Sequence, residues 1–464
     1  MFDSVFLISH FEFRPLTFGL FAFPSFIGYI HFVITVGSER ILDKFIIKGG
    51  KALEGVVRIS GAKNASLALM PATILEPGSY EFFNTPQLRD VTTMGNLLVS
   101  MGFAISHEND SMKIESASMT KFEAPYEHVK RMRASIYVLG PMLSRYGRAK
   151  VSLPGGCAWG PRPVNLHIEG MKKLGAEIDI EGGYIIAKAK RLKGAKISFD
   201  VSSVGATGNI MMAAVLARGS TVIENAAMEP EITSLADFLV KMGAKISGRG
   251  TSTIEIEGVD ELSPATFTTI PDRIEAGTFL VAAAMAGRKG GKVRVERCNP
   301  LHLGAITAKL EEAGARLAIG KDFVELEPPA EIKPVNVTTA IYSGFPTDMQ
   351  AQWIALMSLA TGPSIMTETI YSDRFTHVPE LVRLGANITV DENIATVIGS
   401  RHLMGAKVMS TDLRASASLI LAGLAAKGTT EVLRVYHIDR GYEHIEKKLQ
   451  RLGAEITRVS GEEY

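Results

Sequence analysis

Cys157 lies in the run Pro154-Gly155-Gly156-Cys157-Ala158-Trp159-Gly160-Pro161-Arg162-Pro163-Val164-Asn165-Leu166-His167. Its flanking glycines and prolines forbid a regular element, so the thiol belongs to a loop and not to a packed core. A lone cysteine usually serves as a small buried hydrophobe. Here Arg162, a few residues on, favours the thiolate and lowers the thiol pKa, which suits Cys157 to exchange a proton near neutral pH. Cys298 ends the strand-like run Val293-Arg294-Val295-Glu296-Arg297-Cys298 and keeps the structural reading.

Basic residues recur where loops run into helices: Lys63, Arg133, Arg162, Arg374, Arg414 and Arg440. Any one of them is a solvated surface charge by default. Several at equivalent junctions imply a shared pocket for phosphate and carboxylate, which the guanidinium fork binds through two parallel hydrogen bonds. Asp348, in Pro346-Thr347-Asp348-Met349-Gln350-Ala351-Gln352, and Asp412 sit beside them. An acid at a helix start is ordinarily an N-cap. Either acid becomes a general base if a cleft sets it against a substrate hydroxyl. Signatures of other chemistries are missing. The sequence has no Gly-x-Ser-x-Gly elbow, no Gly-x-Gly-x-x-Gly turn and no zinc-type spacing, and Gly287 to Lys292 fails the phosphate-loop pattern. Hydrolase, dinucleotide and metalloenzyme readings lose their support, and no metal is expected.

The elements that must position these side chains are written as a repeat. An amphipathic segment runs into a glycine and then a strand at Met101-Gly102-Phe103, Leu174-Gly175-Ala176, Met242-Gly243-Ala244, Ala313-Gly314-Ala315, Leu384-Gly385-Ala386 and Leu452-Gly453-Ala454. The period is about seventy residues, and a period that regular means one supersecondary unit used six times. Each glycine marks a helix end where the backbone takes a left-handed cap. In the same rhythm, polar junctions lead into apolar helices that close in glycine: Ser60 to Gly78, Arg133 to Gly147, Ser203 to Gly219, Asp272 to Gly287, Thr347 to Gly362 and Thr411 to Gly428. Helices apolar all round are buried in a domain. Their N-termini, with unpaired N–H groups and a positive dipole end, favour anionic ligands if several open onto one cleft.

A chain of 464 residues divides into more than one domain, and six units fall into two groups of three. Net charge +1 gives no reason to expect nucleic acid. Two cysteines build no disulfide framework and point to a reducing compartment. The first forty residues stand outside the repeat. From Pro15 to Ser38 there is no charged side chain, a length sufficient to span a bilayer, yet prolines and glycines interrupt it and no signal-peptide features flank it. A start placed too far upstream, a membrane-apposed helix and a docking segment all remain open readings of it.

Lys63-Asn64, the Cys157 loop with Arg162-Pro163-Val164 and Leu166-His167, Pro346 to Gln352, Thr411-Asp412-Leu413-Arg414-Ala415-Ser416-Ala417 and His437-Ile438-Asp439-Arg440-Gly441-Tyr442 together resemble the UDP-N-acetylglucosamine 1-carboxyvinyltransferases, from about Leu42 to Gly461. The resemblance implies an α/β fold, the two-domain inside-out α/β barrel of the enolpyruvyl transferases, with three βαβαββ repeats per domain. It divides the chain into 42–62 plus 271–464 as one domain and 63–270 as the other, which close around the substrates.

The implied reaction passes the enolpyruvyl group of phosphoenolpyruvate to the 3′-hydroxyl of UDP-N-acetylglucosamine with release of phosphate, a cytoplasmic step of peptidoglycan synthesis with no cofactor. By the same resemblance Cys157 is the general acid and Asp348 the carboxylate against the sugar hydroxyl. Lys63, Arg133, Arg162 and Arg440 hold the phosphate of phosphoenolpyruvate, Arg374 and Arg414 its carboxylate, and Asp412 positions the reacting groups. Asn64, Asp348 and Ile370 contact the sugar nucleotide, whose uridine diphosphate is lined by Arg162, Pro163, Val164, Asn165, His167, Ser203, Val204 and Gly205. The chain departs from the pattern at Asn165, where aspartate is common, at Val201, where some members carry lysine, and at the bulky Trp159. A shikimate-type enolpyruvyl transferase shares fold and donor but lacks the cysteine loop. A non-catalytic sugar-nucleotide sensor is the rival from another class.

Overall fold

The computed structural model describes residues 42–461 apart from 117, 118, 120, 131, 154–163 and 288–290. The N-terminal extension and the loop holding Cys157, Trp159, Arg162 and Pro163 therefore lie outside the described residues.

Six helices form the interior: α1 (Lys63–Ala72), α2 (Leu139–Tyr146), α3 (Val204–Ala214), α4 (Arg273–Ala286), α5 (Gln350–Met357) and α6 (Leu413–Ala425). Their sequences leave no polar face. Every residue from Leu413 to Leu424 in α6 and from Ile274 to Ala284 in α4 is buried, so these helices are enclosed on all sides. The strands lie outside them. In Thr253–Glu257 only Ile254 and Ile256 are buried, the period-two signature of a sheet with one wet face. Helices inside and sheets outside is the inverse of an ordinary α/β barrel.

Each unit builds a four-stranded sheet by one rule, seen in Lys196–Ser198, Ser220–Glu224, Lys245–Ser247 and Thr253–Glu257. The first strand pairs parallel with the second across the inner helix, Ile197 opposite Ile223. A second helix then leads to a hairpin whose last strand pairs antiparallel with the second, Ile223 opposite Ile254. The glycines expected at the helix ends, 102, 175, 243, 314, 385 and 453, all have φ between 90° and 108°, where a Cβ is strongly disfavoured.

Three strands come from elsewhere in the chain. Leu42–Lys48 fills the sheet of Thr429–Leu433 and Glu455–Gly461. Gly55–Arg58 pairs with Val293–Glu296 although α1 follows it, and Thr266–Thr268 pairs with Gly78–Phe83 although α4 follows it. The two crossing stretches are stitched together: Ala62 N–H donates to the Ile270 carbonyl at 2.7 Å and Asp272 N–H to that of Ser60 at 3.0 Å. The buried apolar side chains form two clusters, one from Phe45 to Ile59 and Ile274 to Ile456, the other from Leu67 to Leu262. Cys298 is buried within the first, its thiol donating to the Val295 carbonyl at 3.5 Å and its pKa pushed up to about 11 by burial, which is the structural role expected of it. Among the described residues no helix is long and apolar enough to cross a membrane.

Candidate active site

Asp348 stands in the short 3₁₀ turn Thr347–Met349 that leads into α5. Two guanidinium groups grip its carboxylate: Arg374 donates through Nη2 to Oδ1 at 2.8 Å and Arg414 through Nη2 to Oδ2 at 2.6 Å. Burial alone would raise its pKa, but the Arg414 and Arg374 charges more than offset this and hold the carboxyl well below the usual range. The second arm of each guanidinium is also used. Arg374 Nη1 donates to Thr347 Oγ1 at 2.8 Å, and Arg414 Nη1 to the Tyr442 hydroxyl at 3.1 Å. Tyr442 in turn meets Thr278 Oγ1 at 2.8 Å and accepts from Gln352 Nε2 at 3.2 Å. Asp412 accepts the Arg414 and Ala415 N–H groups at 2.7 and 3.1 Å, so it is the N-cap of α6 and aims the helix that carries Arg414. Ile370 is half-buried on a turn whose N–H groups are collected by Glu368 Oε1, 2.8 Å from Ile370 N and 3.0 Å from Tyr371 N.

Lys63 opens α1, with Asn64 half-buried behind it. Its ammonium lies 3.6 Å from Asp90, which also accepts from Arg440 Nε at 2.9 Å and Nη2 at 3.3 Å. Burial lowers the Lys63 pKa, Asp90 opposes this, and the nearby charges of Arg414 and Arg440 lower it further. One compact electrostatic site therefore holds Lys63, Asp348, Arg414 and Arg440. Asp90 has the chemistry of a counter-ion and was not expected from sequence. It opens the helix Arg89–Ser100, where an acid in the first turn looks like a dipole partner only.

The other expected residues gather at two helix starts. Val164 precedes the helix Asn165–Lys173, in which Asn165 is exposed and His167 buried. Ser203 caps α3 through the Ala206 N–H at 3.3 Å, with Val204 and Gly205 in the first turn. His167 joins the two helices. A Cβ on Gly205 would stand 3.2 Å from its Nε2, and its Nδ1 lies 3.0 Å from Asn209 Nδ2 in α3. Burial, aided by the charge of Arg133, holds the ring neutral down to about pH 4. Arg133 begins the turn Arg133–Val138, and Tyr137 of that turn donates to the Val204 carbonyl at 3.2 Å.

Between the two clusters lie residues that the sequence did not single out. Arg273, the first residue of α4, donates to Glu231 at 3.1 Å and stacks over the Tyr342 ring at 5.5 Å. Glu229 sits beside Glu231, and burial raises its pKa. The field of Asp348 reaches Arg273, and the fields of Glu229 and Glu231 reach Tyr137, so this group links the carboxylate end to the helix-start end.

Six small α/β units thus bring cations together at helix starts, an arrangement suited to an anionic substrate. A model of the EPSP synthase (3-phosphoshikimate 1-carboxyvinyltransferase) family matches residues 47–449. The UDP-N-acetylglucosamine 1-carboxyvinyltransferase of Chloroherpeton thalassium is 59% identical over 426 residues, 91% of this chain and 99% of that protein. That of Geotalea daltonii is 54% identical over 418 residues, 90% of this chain and all of that protein. The solved structure of the enolpyruvyl transferase NikO from Streptomyces tendae superposes with a TM-score of 0.82 at 26% identity, covering 91% of this chain and 100% of that one. EPSP synthase from Acinetobacter baumannii, at 0.69 and 18% identity over 90% of this chain and 100% of its own, shares the fold. The chain belongs to the EPSP synthase family and, within it, to the UDP-N-acetylglucosamine 1-carboxyvinyltransferases.

Proposed function

We propose that this chain transfers the enolpyruvyl group of phosphoenolpyruvate to the 3′-hydroxyl of UDP-N-acetylglucosamine, releasing phosphate, as the entry step of peptidoglycan synthesis in the cytoplasm. The observation that carries the reading is the meeting of Asp348 with Arg374 and Arg414 beside Lys63 and Arg440: one carboxylate for a hydroxyl proton, and cations for a donor with a phosphate and a carboxylate. In the addition, the sugar oxygen bonds to C2 of the donor while a proton is delivered to C3. In the elimination, a proton leaves C3 and phosphate departs. No redox change occurs, so the reading calls on no redox cofactor.

Asp348 takes the hydroxyl proton, and Cys157 supplies the proton to C3. Lys63, Arg133, Arg162 and Arg440 hold phosphate. The donor carboxylate goes to Arg374 and Arg414, the same guanidiniums that grip Asp348 in the free chain. A donor that draws them away would relieve the cause of the depressed Asp348 pKa, so the base gains basicity as the donor arrives. Asn64 and Asp348 contact the sugar, Ile370 contacts substrate, Asp412 holds Arg414 in place, and Arg162, Pro163, Val164, Asn165, His167, Ser203, Val204 and Gly205 line the uridine diphosphate. The two groups of three units, 42–62 with 271–464 and 63–270, close over both substrates.

Phosphate release from phosphoenolpyruvate with each acceptor tests the assignment. Release is expected with UDP-N-acetylglucosamine and not with shikimate 3-phosphate. The reverse pattern, or UDP-N-acetylglucosamine binding without release, would remove it.

A further inference from the structure

Asn209, fully buried in α3, has no part in the roles above, yet its contacts fix the state of a residue that does. Its Oδ1 accepts the Gly140 N–H at 2.6 Å, and its Nδ2 lies 2.9 Å from the Ile136 carbonyl and 3.0 Å from His167 Nδ1. A backbone N–H only donates and a carbonyl only accepts, so these two partners decide which way the amide points. Turning it over would set nitrogen against the Gly140 N–H and oxygen against the Ile136 carbonyl, two repulsive contacts in a buried site. The atom facing His167 is therefore the amide nitrogen, a donor. It follows that Nδ1 is the acceptor and that the single proton of the neutral ring sits on Nε2. A glycine at 140 is what lets the amide approach, because a Cβ there would collide with the carbonyl and Oδ1 of Asn209.

We propose that Asn209 is a positioning residue for nucleotide binding. It holds His167 as the Nε2–H tautomer, so that a donor and not a lone pair faces the start of α3, where an oxygen of the uridine diphosphate accepts it. The proposal rests on reading that helix start as the nucleotide site. The charged group acting on the ring is Arg133. From the same turn Tyr137 is occupied with the Val204 carbonyl, and the α3 residues that face the ring, Gly205 and Asn209, do not titrate.

The test uses the full chain with 15N-labelled histidine, the His167 signals being assigned by their loss in His167→Leu. The expected result is a protonated Nε2 and a bare Nδ1, unchanged between about pH 8 and about pH 5.5. A proton on Nδ1, or a ring that titrates in that window, overturns the proposal. Asn209→Asp keeps an acceptor for Gly140 but turns the atom facing Nδ1 into an acceptor as well, which moves the ring proton to Nδ1. Its affinity for UDP should drop roughly tenfold near pH 8 and recover toward about pH 5.5 as the ring takes a second proton, a recovery the native chain does not show. If His167→Leu binds UDP as the native chain does, the nucleotide lies elsewhere and both the site reading and the proposal fall. If His167→Leu weakens UDP while Asn209→Asp matches the native chain at every pH, the site stands and the tautomer lock alone falls.

Discussion

The carboxylate end and the helix-start end of the site are prepared in opposite ways. Around Asp348 the chain stores charge in pairs: Arg374 and Arg414 rest on Asp348, and Lys63 and Arg440 rest on Asp90. Around His167 it stores neutral donors, a buried imidazole kept uncharged and a capped helix start. A donor that carries both a phosphate and a carboxylate and loses its phosphate during reaction needs cations that can be exchanged from one anion to another, whereas a nucleotide held throughout needs donors fixed in place. If the proposed roles hold, chemistry and anchoring are divided between the two ends, and substitutions at each should fail in different measurements.

The largest expected effect is at the charged end. Asp348→Asn keeps the shape and loses the proton acceptor, so saturated turnover should fall by roughly 10² to 10⁴ with little change in UDP affinity. His167→Leu should do the converse, weakening UDP about tenfold with a smaller effect on the saturated rate. Steady-state rates beside calorimetric titration with UDP separate the two. The comparison breaks if Asp348→Asn loses UDP binding and keeps its rate.

A second effect sets one buried histidine from each end side by side. His167 and His377 are both buried and held to about pH 4 against an ordinary value of 6.5, in each case chiefly by burial, with Arg133 helping at His167 and Asp412 opposing at His377. Above pH 6.5 neither the folded nor the unfolded chain binds the proton, so nothing is lost. As pH falls from about 6.5 to about 4 only the unfolded chain gains it, and each histidine removes up to about 3 kcal/mol of stability. Asp348, whose pKa is depressed, adds its loss at lower pH still, as protons overcome its two guanidiniums. Denaturant unfolding across this range should show the decline, and His377→Gln should remove its share. A flat profile would mean that these rings are charged when folded.

Much of this was legible in sequence because single residues carry it alone. The six repeat glycines are forced by positive φ, the inner helices by the lack of a polar face, and Lys63, Asp348, Arg414 and Arg440 by their place at junctions. Asp90, Asn209, Glu231 and Arg273 were not legible because each acts through a distant partner. Asp90 meets Arg440 across 350 positions, and Asn209 looks like any polar residue in a helix until Gly140, Ile136 and His167 surround it. The exchange of Gly55–Arg58 and Thr266–Thr268 could be read only through the family resemblance, which set the boundaries at 62 and 271. Strands of four and three residues carry too little pattern to say which sheet they join.

The smallest effect compares the two helix caps. Asp412 accepts two N–H groups of α6 at 2.7 and 3.1 Å, while Ser203 accepts one from α3 at 3.3 Å. Asp412→Ala should therefore cost about 1 to 2 kcal/mol and Ser203→Ala about 0.5 to 1 kcal/mol, read from denaturant midpoints. Substituting each cap by the other type tells more. Asp412→Ser should retain part of the stability and disturb turnover through Arg414, whose backbone the cap holds. Ser203→Asp should keep or improve the cap, since aspartate is a good N-cap and suits the helix dipole, yet it puts a fixed negative charge where the uridine diphosphate is expected. A stable Ser203→Asp protein with UDP affinity reduced at least about tenfold would show that this helix start is kept neutral for an anion. If Ser203→Asp binds UDP as the native chain does, the start of α3 is only a folding cap, and the division between a charged end and a neutral anchoring end loses its second half.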